Sequence, residues 1–191
     1  MSTPDTDPSV AKAAARAEAR ARRRSGPPPD AHGVADQVMG LLERLPGPSR
    51  VTCYASYGTE PETGHIRERL ASAGVQVLLP RVSGHDMVWV VDEGAAEVSS
   101  MGIAEPIGPA VSLMPVRVML VPALAVTPRG DRLGKGGGYY DRALASLGDT
   151  RPPIAAIVGD DDVVASLPTQ EHDHRVDFIV TPTRIIRCAS D

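Results

Sequence analysis

The 191-residue chain has two cysteines and no long hydrophobic run, and each scarcity excludes a class of protein. Cys53 and Cys188 lie far apart and form no Cys-x-x-Cys spacing, which argues against a disulfide framework and against a zinc ribbon. No apolar stretch approaches the ~20 residues that a membrane-spanning helix needs. Residues 1–9 are polar and lack the apolar core of a secretion signal. We therefore expect a cytoplasmic protein with no membrane partner.

Positive charge is not in excess, because 20 Lys and Arg residues stand against 24 Asp and Glu residues and the formal net charge is −4. We therefore expect no nucleic-acid partner. Aromatic residues make up 3% of the chain, so the core is predicted to be aliphatic. Lysine is also scarce, since Lys12 and Lys135 are the only two. A lysine kept in an arginine-rich chain fits a need for a compact point charge, and chance is the alternative explanation.

Apolar strand-like runs alternate with helix-like segments from residue 50 onward. The chain length predicts one domain over residues 1–191. The patterns predict helices over 10–24, 31–45, 63–73 and 139–147, and strands over 51–56, 75–79, 87–91, 116–121, 154–158 and 176–180. Pro80 is expected to end the second strand, and 92–115 is expected to be a long loop. The alternation predicts an α/β fold with a mostly parallel sheet and helices on both sides.

The first predicted helix, 10–24, is rich in alanine and arginine and is polar on nearly every side apart from the alanines. Two interpretations fit this pattern. The helix is either a solvated arm or a basic arm that lies over an anionic ligand, and its sequence does not choose between them.

The aliphatic run 116–121 is typical of a central strand covered on both faces. A glycine-rich segment follows this strand and precedes a predicted helix. Gly134, Gly136, Gly137 and Gly138 bring backbone amides together, and two cations flank them. Amides, cations and a helix N-terminus in one place are typical of a polyphosphate site. In a parallel sheet, ligands bind outside the carboxyl ends of the strands, where this segment is predicted to lie.

Two common nucleotide motifs are absent from this segment. Three residues separate Gly130 from Gly134, where a Walker A loop has four. A dinucleotide fingerprint beginning at Gly134 would need glycine at the position of Tyr139. Asp141 lies in the first turn of the following helix, where a carboxylate can hold a cation against bound phosphates.

The string Gly130-x-Arg-Leu-Gly-Lys-Gly-Gly-Gly-Tyr-Tyr-Asp-Arg142 resembles the 5-formyltetrahydrofolate cyclo-ligases, also called methenyltetrahydrofolate synthetases. Further pieces follow the family's order along nearly the whole chain. They are Lys12-x-x-x-Arg16, Glu60-Pro-Glu-Thr63, Leu79-Pro-Arg81, Gly102-Ile-x-Glu-Pro106 and His172-Asp173 with Val176-Asp177. Three positions depart from the family pattern: Val126-Thr127 replaces a common Phe-Asp, and Lys135 stands where tyrosine is frequent.

The resemblance implies a three-layer α/β/α sandwich similar to the sugar-phosphate isomerase and CoA-transferase-like folds. It also implies an enzyme that converts 5-formyltetrahydrofolate to 5,10-methenyltetrahydrofolate with ATP and Mg²⁺, releasing ADP and phosphate. Phosphorylation of the formyl oxygen and attack by the neighbouring amine of the same folate would close the ring. Two alternatives remain: a non-catalytic folate- or nucleotide-binding relative, and a sugar-phosphate isomerase on the same scaffold, which would need no ATP.

The resemblance also implies roles for individual residues. Arg132 and Lys135 are the candidate catalytic residues. The candidate ATP-binding residues are Lys12, Arg16, Arg132, Leu133, Gly134, Lys135, Gly136, Gly137, Gly138, Tyr139 and Tyr140. Glu60, Tyr54, Trp89, Tyr139 and Tyr140 are the candidates for folate, with Tyr57 a further candidate for stacking. Asp141 and Asp173 are the candidate Mg²⁺ ligands. We expect a monomer or weak dimer that takes folates with or without a polyglutamate tail.

Overall fold

Four α-helices lie in the part of the chain that the computed structural model describes, which comprises residues 7–98, 104–148, 151–170 and 173–189. They are α1 (Pro8–Ser25), α2 (Ala31–Arg44), α3 (Gly64–Ser72) and α4 (Tyr139–Ala145). Side chains cap the first two helices, because Asp7 accepts a hydrogen bond from Ser9 N and Asp30 accepts one from His32 N. None of these helices is both long and apolar enough to cross a membrane.

Twelve strands occupy the same described ranges. They are β1 (Arg50–Thr52), β2 (Gln76–Ser83), β3 (Asp86–Val91), β4 (Ala96–Val98), β5 (Ala104–Pro106), β6 (Ala110–Val111), β7 (Met119–Pro122), β8 (Ala125–Val126), β9 (Arg132–Leu133), β10 (Ile154–Ile157), β11 (Phe178–Val180) and β12 (Ile185–Arg187). Eight of them form one sheet in the order β12-β11-β10-β7-β1-β2-β3-β6, and β4-β5 and β8-β9 form separate pairs.

The centre of the main sheet is parallel and its margins are antiparallel. β11, β10, β7, β1 and β2 are parallel neighbours. At the margins, β12 is antiparallel to β11, β3 is antiparallel to β2, and β6 is antiparallel to β3. The chain passes from β1 to β2 on one side, and later returns to place β7 on the other side of β1. The carboxyl ends of β1 and β7 therefore flank the point where the winding direction reverses, which is the usual ligand position in such sheets.

Alternate residues of the strands pack on opposite faces of the sheet. Val118 and Leu120 face the core under α2 and α3, and Met119 and Val121 belong to the second core, which α4 covers through Leu144. Helices therefore flank a mostly parallel sheet on both faces, which confirms the predicted three-layer α/β fold.

Three local predictions were wrong. β2 continues through Pro80 to Ser83, because beyond Leu78 it pairs only with β3, and proline is tolerated where one side of a strand has no partner. β12 follows the strand that was expected to be last. Ile185 and Ile186 are only partly buried and Arg187 is exposed, so the apolar signal of this strand is weak. The expected loop 92–115 contains β4, β5 and β6, although residues 99–103 lie outside the described part of the chain.

Candidate functional site

The glycine-rich loop, residues 134–138, connects the β8–β9 pair to α4 at the carboxyl edge of the sheet. Gly136 has φ of +107° and Gly138 has φ of +67°, and Gly138 is the N-cap of α4. Residues with a Cβ rarely adopt these backbone angles, which explains why glycine occupies positions 136 and 138. A Cβ at Gly136 would also lie 3.4 Å from Cζ of Arg16, so α1 closely approaches the loop.

Helix α1 is a docked arm whose basic side chains reach the glycine-rich loop. Arg16 Nε donates to the carbonyl of Gly134 at 3.0 Å, and Arg20 Nη2 donates to the carbonyl of Lys135 at 3.3 Å. The alanine side of the helix packs on the β8–β9 pair, where Ala19 joins a small apolar cluster. The geometry therefore favours the basic-arm interpretation over the solvated arm.

A buried carboxylate fixes α1 in this position. Asp162, just beyond β10, accepts from Arg23 Nε at 2.7 Å and from Arg22 Nη2 at 3.2 Å. Arg23 Nη2 also donates to the carbonyl of Ala123 at 2.7 Å. The sequence reasoning missed these residues, although three successive arginines at the end of an otherwise alanine-rich helix were a signal that could have been followed.

Lys12 and Asp173, predicted for different roles, form an ion pair. The Lys12 ammonium is 2.6 Å from Oδ1 of Asp173 and 2.8 Å from Oε1 of Gln170. Lys12 is buried although it lies on a helix that the sequence describes as polar. It lies one turn before Arg16, so the two basic residues of the Lys-x-x-x-Arg pattern face the same part of the site.

The second predicted metal ligand is also paired with a cation. Arg132 Nη2 donates to Oδ1 of Asp141 at 2.5 Å, and Arg132 itself is buried. Across residues 7–98, 104–148, 151–170 and 173–189, no group of three or more His, Cys, Asp or Glu side chains could hold a metal ion. A cation that binds at Asp141 or Asp173 would therefore draw its other ligands from a bound molecule or from water.

Lys135 crosses from the glycine-rich loop to the loop between β1 and α3. Its ammonium is 2.8 Å from Oε1 of Glu60 and 3.2 Å from the centroid of the Tyr57 ring. The other Glu60 oxygen accepts from Tyr57 N at 2.9 Å. The two loops that carry the predicted ATP and folate residues thus touch through predicted site residues.

The remaining predicted aromatic residues fall into two groups. Tyr54 is buried two residues after β1, and Tyr139 lies beneath the Arg142 guanidinium, whose Cζ is 4.9 Å from the ring centroid. Trp89 packs in the second core with Leu78 and Met119 and is 5% exposed. Tyr54 is as buried as Trp89, but it lies in the loop between β1 and α3, so the structure brings Tyr54 and Tyr139 to the loops. The packing of Trp89 among apolar side chains of a strand favours a core role.

Several buried polar atoms of the site have no hydrogen-bond partner among the described residues. They are the hydroxyls of Tyr54 and Tyr140 and Nε of Arg132. Burial raises the pKa of both tyrosines well above the ordinary value, and the nearby Glu60 carboxylate acts in the same direction. Both hydroxyls therefore remain protonated donors at neutral pH. An unpartnered buried polar atom is costly, so these three atoms are candidates for contact with a bound ligand.

Burial also governs the nearby thiol. Burial raises the pKa of Cys53 to about 12. The hydrogen bond to the backbone of Tyr54 and the charge of Arg67 act in the opposite direction, but their effects are smaller. The thiolate is the nucleophilic form of cysteine, so Cys53 is an apolar core residue at neutral pH.

A glycine-rich loop, a basic arm and unpartnered donors at the reversal point of the sheet are typical of α/β enzymes that bind phosphorylated ligands. The family model described as "5-formyltetrahydrofolate cyclo-ligase family" matches residues 8–182. The chain therefore belongs to the 5-formyltetrahydrofolate cyclo-ligase family, a family of enzymes, as the sequence resemblance predicted.

Individual relatives agree with this assignment. A 5-formyltetrahydrofolate cyclo-ligase of Mycolicibacterium smegmatis is 34% identical over 174 residues, which cover 85% of this chain and 89% of the relative. One from Escherichia coli K12 is 27% identical over 87% of this chain and 97% of the relative. The solution structure of Aquifex aeolicus 5,10-methenyltetrahydrofolate synthetase superposes with a TM-score of 0.76 at 24% identity and covers 94% of both chains. This structural likeness supports the fold.

Proposed function

We propose that this protein converts 5-formyltetrahydrofolate to 5,10-methenyltetrahydrofolate, using ATP and Mg²⁺ and releasing ADP and phosphate. One observation carries the proposal: basic side chains from α1 and from the glycine-rich loop converge beside the loop that holds Glu60. Arg16 bonds to the carbonyl of Gly134, and Lys135 pairs with Glu60. A site for a polyphosphate thus adjoins a site with a buried acceptor.

The chemistry explains why two such sites must adjoin. A formyl amide is a poor electrophile because its nitrogen donates into the carbonyl. Transfer of the γ-phosphoryl group from ATP to the formyl oxygen gives an activated imidate-like carbon and ADP. The second folate amine attacks that carbon, loses its proton, and the C–O bond breaks to release phosphate. The attack is intramolecular, so held proximity supplies much of the rate.

The basic residues are proposed to hold the nucleotide. Lys12 and Arg16 would contact the phosphates from α1, and Arg132 and Lys135 would offset the charge that develops as the phosphoryl group moves. The loop from Leu133 to Tyr140 would surround the phosphates. Each predicted phosphate-binding cation has a protein partner within 3.0 Å, and substrate oxygens would replace these partners.

Asp141 and Asp173 are proposed to hold Mg²⁺. Carboxylate oxygens are the ligands this ion prefers, and it usually takes only one or two of them beside phosphates and water. When bound, the ion would supply positive charge that offsets the charge of the phosphates. Since Asp141 pairs with Arg132 and Asp173 pairs with Lys12, nucleotide phosphates that take these cations would free carboxylate oxygens.

The folate is proposed to bind at the loop between β1 and α3. The Glu60 carboxylate would accept hydrogen bonds from N–H groups of the pterin ring. The protonated hydroxyls of Tyr54 and Tyr140 would donate to the folate and so gain the hydrogen-bond partner that they lack among the described residues. Tyr139 is the proposed stacking residue. A tail of glutamates on the folate would extend toward solvent.

We further propose that the chain acts in the cytoplasm as a monomer or weak dimer, without nucleic-acid or membrane partners. Light scattering of the purified protein tests the oligomeric state.

One assay tests the proposed reaction. The protein is incubated with 5-formyltetrahydrofolate and Mg²⁺, with and without ATP, and the absorbance of the methenyl product is followed. We expect product only with ATP, and severe slowing in Lys135→Ala and Asp141→Ala. Product without ATP, or undiminished rates in both variants, would contradict the proposal.

The same assay addresses the two alternative functions. A sugar-phosphate isomerase would form no methenyl product with or without ATP. A non-catalytic relative would bind both ligands without turnover, and the retained Arg132, Asp141 and Asp173 favour turnover.

A further inference from the structure

The side chains of Tyr57, Glu60 and Lys135 form a compact unit, here called the lysine cage. Lys135 Nζ lies 2.8 Å from Glu60 Oε1 and 3.2 Å from the Tyr57 ring centroid. The second Glu60 oxygen accepts from the backbone N–H of Tyr57 at 2.9 Å, so the loop itself orients the carboxylate toward the lysine. The cage joins the glycine-rich loop to the loop between β1 and α3.

The cage is better shielded from water than a surface ion pair. The Glu60 side chain is 4% exposed and the Lys135 side chain is 31% exposed. A carboxylate that has lost most of its water interacts more strongly with a paired ammonium than an exposed one does. The Tyr57 ring adds a cation–π contact to the same ammonium. Opening the cage therefore has a cost.

The cage also occupies groups that both substrates need. Under the proposed function, Lys135 contacts ATP phosphates and Glu60 contacts the folate. Neither group is fully available while the two are paired with each other. A ligand that requires the open cage binds only the fraction of molecules in which the cage is open. Its apparent Kd is therefore its Kd for the open protein divided by that fraction.

We propose that the lysine cage couples the binding of the two substrates. Whichever substrate binds first opens the cage, and the second then binds without that cost, so each raises the affinity for the other. Tyr57 acts as a positioning residue that sets the strength of this coupling through its ring. The inference rests on the proposed function, because it requires that Lys135 and Glu60 contact different substrates.

Calorimetric titration measures the coupling directly in the full chain. 5-Formyltetrahydrofolate is titrated with and without a saturating β,γ-imido analogue of ATP in the presence of Mg²⁺, and the analogue is titrated with and without the folate. We expect the Kd of each to fall roughly five- to tenfold in the presence of the other, by the same factor in both directions. If the Kd of each ligand is the same with and without the other in the wild-type protein, the inference is overturned.

Tyr57→Leu and Tyr57→Phe form a matched pair that separates the cage from a general structural role. Tyr57 is exposed, so neither change removes core packing. Tyr57→Leu loses the cation–π contact, so the coupling factor should fall toward one. The nucleotide analogue alone should bind about two- to fivefold more tightly, since less must be broken. Tyr57→Phe keeps the ring and should keep both wild-type values. Weaker nucleotide binding in Tyr57→Leu, or an unchanged coupling factor, would contradict the cage.

Glu60→Gln tests the ion pair. The variant should bind folate more weakly and yet bind the nucleotide analogue more tightly than the wild type, with little coupling left. Unchanged or weaker nucleotide binding in this variant would overturn the inference.

Failure of the inference is distinguishable from failure of the proposed function. If the wild-type protein binds neither ligand, the proposed function fails. If it binds both without coupling, only the cage fails. A contact of Tyr57 with the folate would weaken folate binding with and without nucleotide alike, and would leave the coupling factor unchanged.

Discussion

The parallel strands of the central sheet begin at one edge, here called the amino edge, and end at the carboxyl edge. Both edges carry arginines, but the arginines have different hydrogen-bond partners at the two edges. At the amino edge, a cavity of about 610 Å³ is lined by Arg129, Arg151, Arg175 and Arg187 among others. There Arg151 donates to both oxygens of Asp177, at 2.6 and 2.9 Å, and one of these oxygens also accepts from Ile154 N at 2.8 Å. This ion pair joins the beginnings of two neighbouring strands.

At the carboxyl edge, the cations bond to loop carbonyls and to carboxylates proposed to bind ligands. Arg16 bonds to the carbonyl of Gly134, and buried atoms of Tyr54, Tyr140 and Arg132 have no partner among the described residues. This cavity thus lies at the edge whose Arg151–Asp177 pair serves the sheet itself. The hydrogen-bond partners of the basic residues, more than the volume of a cavity, are what support the proposed ligand site at the carboxyl edge.

The largest expected effect comes from the anchor of α1 at the carboxyl edge. Asp162→Ala leaves Arg22 and Arg23 without their shared carboxylate, and removing one partner of a buried pair costs about 3–5 kcal/mol. We expect α1 to detach, with a lower Tm, faster proteolysis within 8–25 and a higher KM for ATP. Asp161→Ala, at the exposed neighbouring position, is the control and should behave as wild type. Equal proteolysis of the two variants would show that Asp162 does not anchor the helix.

The next effect is catalytic. Arg132→Met removes the buried guanidinium that pairs with Asp141, and kcat should fall about 10²–10³-fold, the usual loss for a preorganised donor at a reacting group. Arg129→Met, on the exposed rim of the amino-edge cavity, should keep kcat within about twofold. Steady-state kinetics of the two purified variants measure the difference. Equal losses of kcat in the two variants would contradict the assignment of catalysis to the carboxyl edge alone.

At the amino edge, we expect an effect on stability without an effect on activity. Asp177→Ala removes the acceptor of Ile154 N and the partner of Arg151, and should lower the free energy of unfolding by about 1–3 kcal/mol. kcat/KM of the folded variant should stay within about twofold. Asp36→Ala removes an exposed ion pair with Arg69 and should change stability by less than about 1 kcal/mol. Urea unfolding of both variants tests the order, and a large loss of kcat in Asp177→Ala would contradict a purely structural role.

The smallest effect concerns the thiol that lines the amino-edge cavity. Burial, followed by the charges of Asp177 and Asp131, raises the pKa of Cys188 to about 11. The thiolate should therefore be scarce at pH 8, and alkylation by iodoacetamide should be slow and should accelerate as the pH approaches that value. Mass spectrometry of the native protein, with the unfolded protein as control, measures the rate. Rapid alkylation of native Cys188 at pH 8 would contradict the raised pKa.

The predictability of the fold followed the strength of each local signal. The apolar run around β7 was read correctly as a central strand because both of its faces are covered, and such burial leaves a continuous aliphatic sequence. β12 was missed because it is a half-buried edge strand with no such run. Pro80 was misread because proline excludes a strand only where its N–H is needed, and that depends on which neighbours pair with β2.

The candidate site was predictable where its residues lie in one string. The glycines, Arg132, Lys135 and Asp141 all fall within 130–142, so one segment carries both the chemistry and the family resemblance. The pairs Lys12–Asp173 and Arg23–Asp162 join distant parts of the chain and have no local pattern. Their partners are chosen by the docking of α1, which a polar helix sequence leaves undecided.

The main parallel strands, the helices and the family were thus already determined by the sequence, because each depends on neighbouring residues or on a contiguous motif. The anion-binding character of the glycine-rich loop stays a prediction from the same motif. The tertiary structure alone decided which cation meets which carboxylate, that α1 lies on the loop, and that Lys135 reaches Glu60. Such contacts depend on the packing of segments far apart in the chain, and a side chain's partner is set by the position of the backbone that carries it.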